Sequence, residues 1–326
     1  MFRLVIEPGV VLPWETFCAQ RPAPAIALDG FVAGPPRCDM RGPWVNLNHH
    51  EGVNRLATRA TCEQVLVSLR MGLLDSFRPA TDPHGEASGA LYVNDVDEDV
   101  CLSTWLFRNE ALLYASNRVE SIHRLVHMEG LLDTTAGAYP LPLDTPELQE
   151  LAWVFQPFHQ RCRGPGASSL TVKDKAEVVD EVCRHIGRYV RGEAGQVKLD
   201  LRYEKVGGGP GWSLVKETGL HSRTAMRAHG VRAFATIRPR ADGRHNYAIA
   251  RMSPYIDFPL EALFKALNAA EGIPPGASDR WDGGDTVGGS PRIAGSGLSP
   301  QQLAEVINAE LARLAALPSP ADGRAP

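Results

Sequence analysis

Cysteine is scattered thinly through this chain. The six, at positions 18, 38, 62, 101, 162 and 183, contain no C-x-x-C spacing. That removes the usual zinc-site and redox-motif patterns and any disulfide framework, so reduced thiols are expected. Long apolar runs are also missing, and no segment approaches the ~20 residues of a membrane-spanning helix. The strand-like start is broken at once by Glu7 and Pro8 and lacks the apolar stretch of a secretory signal, so a cytoplasmic location and no membrane partner are expected. Positive charge is in short supply: a net charge of −4 argues against sequence-independent binding to duplex nucleic acid. What remains is ordinary globular composition, 326 residues with 44% hydrophobic and 22% charged, enough for a sizeable core and for two domains.

Short apolar runs at residues 3–6, 23–28, 44–47 and 91–94 have strand character. They alternate with helical patterns at 61–74 and 102–114, where Val65, Leu66, Leu69 and Leu73 recur at helical spacing. This implies an α/β fold whose N-terminal sheet is mostly parallel, with helices on both faces. A helical middle follows at 116–132, 146–162 and 173–191, with a loop at 163–166. From 197 the texture changes. Residues 197–203 alternate strictly, as a half-buried strand does, and 207–211 form a glycine loop. Residues 234–237 and 247–250 flank a turn at Asp242-Gly243 and read as a hairpin. Helices follow at 260–270 and 300–317, the last opened by Ser299 as N-cap and Pro300 as first residue. The expected domains are 1–140 (α/β), 141–195 (helical connector), 196–317 (smaller α+β) and a disordered tail over 318–326.

Two clusters carry chemistry. Asp95, Asp97, Glu98 and Asp99 place four carboxylates in five residues, after a strand and before a helix. Acids there can cap the helix, and they can equally hold a divalent cation. Asn48-His49-His50 ends another strand, and neutral imidazole is a common metal donor. Ligand sites in such sheets lie at the carboxyl ends of the strands. Asp29, His49, His50 and Asp95 all follow strands immediately, so one crevice could contain them. His123 and His127, four apart on a helix, could bind a metal but read more simply as one amphipathic face. In the C-terminal half, seven arginines and one acid lie between Arg223 and Arg251. Arg251 closes a strand, and a glycine-rich run contains Gly288, Gly289, Ser290 and Arg292. Arginine forks and glycine backbone N–H groups suit phosphate oxygens, so these residues are expected to bind substrate.

Together these residues bring a family into view. The chain distantly resembles the DHH phosphoesterase superfamily, which pairs a metal-binding α/β domain with a C-terminal substrate-binding domain. Asn48-His49-His50 looks like its Asp-His-His motif, and residues 61–66 resemble the helix that follows. Residues 97–103 are similar to its D-x-D-x-x-x-S element. Asp133-Thr134-Thr135 resembles its D-T motif, and 288–295 its C-terminal glycine motif. The likeness is specific only at these short stretches. Here the D-x-D element follows the histidines instead of preceding them, Asn stands at 48, and Val93 occupies the place of an expected histidine.

The resemblance implies a metal-dependent phosphoesterase acting on a small phosphorylated molecule, a nucleotide or a short oligonucleotide. His49, Asp95, Asp97, Asp99 and Asp29 would hold Mn²⁺ or Mg²⁺, with His50 and Asp97 as catalytic groups and His50 as general acid or phosphate donor. Asn48 and Val93 motivate the alternative, a non-catalytic nucleotide- or phosphate-binding protein on a degenerate phosphoesterase scaffold. A homodimer is compatible with either.

Overall fold

The computed structural model describes residues 2–79, 81–82, 84–163 and 167–317. The loop expected at 163–166 falls mostly, and the tail at 318–326 wholly, outside them. The chain is α/β and divides into two compact units, residues 1–137 with 142–199, and residues 138–141 with 200–326.

The first unit contains β1 (Phe2–Ile6), α1 (Trp14–Gln20), β2 (Ala25–Leu28), β3 (Arg37–Asp39), β4 (Trp44–Leu47), α2 (Thr61–Arg70) and β5 (Gly89–Val93). It continues with α3 (Glu98–Arg108), α4 (Val119–Thr134), α5 (Pro146–Val154), α6 (Gln156–Cys162) and α7 (Val172–Val190). Its sheet runs β1-β5-β2-β4-β3, parallel except for the short edge strand β3. Alternation along β2 builds the layers. Ile26 and Leu28 enter the main core with Leu66, Leu102 and Val179, whereas the small Ala25 and Ala27 pack on Trp14, Phe17 and Tyr92. Helix α3 is buried throughout Asp99 to Phe107 and packs between α2 and α7. Fully burying each of Leu102, Trp105 and Leu106 stabilises the unit by about 2 kcal/mol. The helices expected as a connector over 141–195 are α5, α6 and α7. They belong to this unit, with Leu151, Val154 and Ile186 in the same core.

The second unit contains β6 (Tyr203–Gly209), β7 (Trp212–Glu217), α8 (Ser222–Ala228), β8 (Ala233–Pro239) and β9 (His245–Arg251). It ends with α9 (Leu260–Ala270), β10 (Asp282–Gly283), β11 (Val287–Gly289) and α10 (Pro300–Ala315). The six-stranded sheet runs β10-β11-β9-β8-β7-β6, antiparallel except for β7 with β8, which α8 connects. Leu214, Ala235 and Ile249 pack on α9 and α10; Val215, Phe234 and Ala250 face Met226 of α8.

Several expected elements shift for identifiable reasons. The helix at 146–162 is two helices, because Pro157 lacks an N–H and its ring cannot sit above the preceding turn. The helix at 102–114 starts earlier, at Glu98, because Asp97 caps it, and it gives way after Arg108 to a 3₁₀ turn. The strand at 197–203 is corrected: β6 begins only at Tyr203 and absorbs glycines 207–209. A bulge after Lys205 and a φ of +131° at Gly208 make the glycines part of the strand, since side chains rarely adopt that backbone. The hairpin around Asp242-Gly243 is present as β8 and β9, and Ser299 caps α10 with Pro300 in its first turn.

Candidate metal centre

Three parallel strands deliver the cluster. Asp29 follows β2 at a φ of +51°, a left-handed conformation that aspartate tolerates better than most residues. His49 and His50 follow β4, Asp97 and Asp99 open α3 after β5, and Asp133 closes α4. His49 is the hub. Its fully buried Nε2 lies 2.7 Å from Asp133 Oδ2, 3.5 Å from Asp29 Oδ1 and 3.8 Å from Asp99 Oδ2. His50, partly exposed at the mouth, places Nε2 at 2.7 Å from Asp29 Oδ1. The Thr61 hydroxyl donates to the same oxygen at 3.1 Å.

Asp99 has a second task. Its oxygens accept the backbone N–H groups of Thr61 and Cys62, the first two residues of α2. Ala60, at the N-cap of α2, has no side chain that could do this. A carboxylate from α3 thus caps α2 and meets the positive end of its dipole. Asp97 in turn caps α3 by accepting from Val100 N at 2.8 Å.

Crowding shapes the protonation equilibria. Burial works to lower the His49 imidazole, but contacts with Asp133 and Asp29 overcome it and raise the group to about 10. Burial, then the charges of Asp133 and Asp29, push Asp99 up to about 8. Asp97 is pushed well above the carboxylate range by burial and then by Asp29 and Asp99. Burial alone would raise Asp29; His50 and His49 prevail and hold it well below that range.

Two overlapping sets could hold a cation: Asp29, His49 and His50, and His49, Asp99 and Asp133. In each, the ligand atoms lie within 4.8 Å of one another. The residues fit such an ion. Both His49 nitrogens are buried without an aligned hydrogen-bond partner, an arrangement that is costly unless something else satisfies the ring. All donors are carboxylate oxygen or imidazole nitrogen, a set suited to Mn²⁺ and, through its oxygens, Mg²⁺.

The other sequence candidates lie elsewhere. Asp95 is exposed and paired with Lys175 Nζ at 2.6 Å. Asp97 borders the cluster without entering either set. Asn48 is buried with its amide turned to the backbone, donating to Val32 O (3.3 Å) and Gly34 O (2.9 Å) while its oxygen accepts from His50 N. His123 and His127 form no cluster of three metal-ligating side chains among the described residues. Asp133, which the sequence marks only by a motif likeness, is a ligand candidate outside the expected set. Its local signal is no more than an acid before Thr134-Thr135. Arg55 fixes it by donating to its backbone oxygen at 3.0 Å, across 78 residues of sequence. Glu129, a nearly buried carboxyl on α4, also lies outside that set; burial, then Glu98 and Asp133, raises it well above its usual range.

In the second unit Arg251 donates to the backbone oxygens of Asp285, Pro254 and Ile256. Gly288 and Gly289 are strand residues of β11, and the Ser290 hydroxyl accepts from Tyr247 N. Arg292 is exposed. Close packing accounts for the glycines. A Cβ at Gly288 would meet the Phe264 ring at 2.4 Å, and one at Gly289 would meet Tyr247 O at 2.6 Å. Gly289→Ala is therefore expected to destabilise this unit by about 1–3 kcal/mol, read as a lower denaturant midpoint.

Comparison with protein-family models, with curated proteins and with solved structures returned no match. No helix among the described residues is long and apolar enough to cross a membrane.

Proposed function

We propose that this protein is a metal-dependent phosphoesterase acting on a small phosphorylated or nucleotide-like substrate, with Mn²⁺ or Mg²⁺ as its ion. The observation that carries this reading is that Asp29, His49, His50, Asp99 and Asp133, from four chain segments, form two three-residue donor sets that share His49, beyond the carboxyl ends of β2 and β4. His49 belongs to both donor sets and would be the shared ligand, with Asp29 on one side and Asp99 and Asp133 on the other. A divalent cation bound there supplies Lewis acidity toward a phosphoryl oxygen and a more acidic water. His50 is the group for proton transfer: its ring reaches the mouth, and Asp29 fixes its orientation through Nε2. Asp97 secures the start of α3 by accepting from Val100 N, and so holds Asp99 in place beside the other ligands.

The test is hydrolysis of a panel of nucleotides, short oligonucleotides and sugar phosphates, with metal content measured in parallel. Turnover should rise with added Mn²⁺, fall on chelation and disappear in Asp97→Ala. No hydrolysis of any phosphoester with any divalent metal would overturn the reading. One observation favours a second: Asn48 spends its amide on backbone carbonyls and offers the ion nothing. A binding protein that has lost its chemistry would gain thermal stability from a phosphorylated ligand, by mass action, without converting it.

A further inference from the structure

We propose that the groove between α2 and α4 is a surface through which two copies of this chain pair about a two-fold axis. The groove measures about 670 Å³, is floored by Leu66 and Val126, and lies within the first unit. Seven of its eleven lining residues are ionisable, and exposed apolar side chains lie in or beside it. Met71 is 81% exposed, Tyr114 55% and Val67 39%. The Tyr114 hydroxyl donates to Leu69 O, which holds that ring at the same end of α2 as Met71.

The helices run antiparallel along the groove. Cys62, early in α2, reaches Val126 O, and Glu63 lies 3.8 Å from His127 in the second half of α4. Arg70 and Met71 at the far end of α2 share the lining with Glu120 at the start of α4. With Glu63 level with His127, Val67 is level with His123.

Charge order selects a second copy as the occupant. Along α2 the outer stripe runs Glu63, Val67, Arg70, Met71; along α4 it runs Glu120, His123, Arg124, His127. Each stripe carries its acid before the midpoint and a base after it, and the two midpoints share one level. A two-fold axis there reverses each stripe on its copy. Glu63 then opposes Arg70 of the second copy, Glu120 opposes His127, and Val67 meets Val67. Each charge pair occurs twice, and the Val67 contact lies once, on the axis. An acidic or a basic partner of another kind would satisfy one end of each stripe and repel the other.

The test uses the full chain and measures mass in solution by light scattering and sedimentation. The wild type should be a dimer. Val67→Glu should raise its dissociation constant by more than about tenfold while leaving the circular dichroism unchanged. The sharper measurement uses two charge variants. Arg70→Glu with His127→Glu makes the surface acidic, and Glu63→Lys with Glu120→Lys makes it basic. Each should be monomeric alone, and a one-to-one mixture should restore the dimer, which also reports that both fold. A monomeric wild type, a dimer indifferent to Val67→Glu, or charge variants that do not pair would each overturn the proposal.

Discussion

Asp99→Ala is expected to destabilise the first unit by about 3–5 kcal/mol. The change leaves two buried backbone donors, Thr61 N and Cys62 N, without their acceptor, and each unsatisfied donor costs about 1–3 kcal/mol. Above a pH of about 8, where the Asp99 carboxyl is ionised, it also removes an anion from the positive end of α2. Asp99→Asn keeps one acceptor oxygen and should cost less than half as much. Chemical denaturation with excess chelator isolates this effect, because loss of a metal ligand changes nothing when no metal is present. A stability loss that vanished in chelator would mean that Asp99 acts only through the ion.

His49→Ala should abolish metal uptake. His49 alone belongs to both donor sets, so among the described residues no three-ligand cluster survives its removal. Turnover should fall by more than about 100-fold, the upper range for losing even an outer partner of a ligand. The same variant should lose the stabilisation that metal gives the wild type, about 2.7 kcal/mol when free metal exceeds its dissociation constant by 100. Metal analysis by mass spectrometry and thermal melts with and without Mn²⁺ measure both. A variant that still took up stoichiometric metal would place the ion elsewhere.

The strand ends are legible in the sequence because they obey a local rule: apolar runs stop, and the next residue or two are polar groups that meet in the cluster. Asp29, His49 and His50 follow from it. The same rule overreaches at Asp95, whose carboxylate belongs by density to the acidic cluster but by geometry to Lys175 on α7, 80 residues away. Asp133 and Glu129 escape it for the opposite reason. They sit on a helix whose local pattern says only that one face is apolar, and a contact such as Arg55 with Asp133 exists only after α4 has docked. The cap that Asp99 provides for α2 has no local signature either, since capping is sought in the adjoining residues and here comes from another helix. Gly288 and Gly289 read as an anion loop, and the structure gives them a packing reason as well, since the Phe264 ring and the Tyr247 backbone leave no room for a side chain at either position.

The amide at position 48 also constrains the history this chain can have. A change from asparagine to aspartate needs only one nucleotide, and by sequence alone it would regenerate an Asp-His-His motif. Yet the side chain is 1% exposed and its nitrogen serves the carbonyls of Val32 and Gly34. An anion there would confront two oxygens it cannot bond, and Val32 O would lose its side-chain donor. The loop at 32–34 would have to refold before a carboxylate at 48 became tolerable. The shortest mutational route to that motif therefore carries a stability cost, and lineages with the amide are expected to keep it.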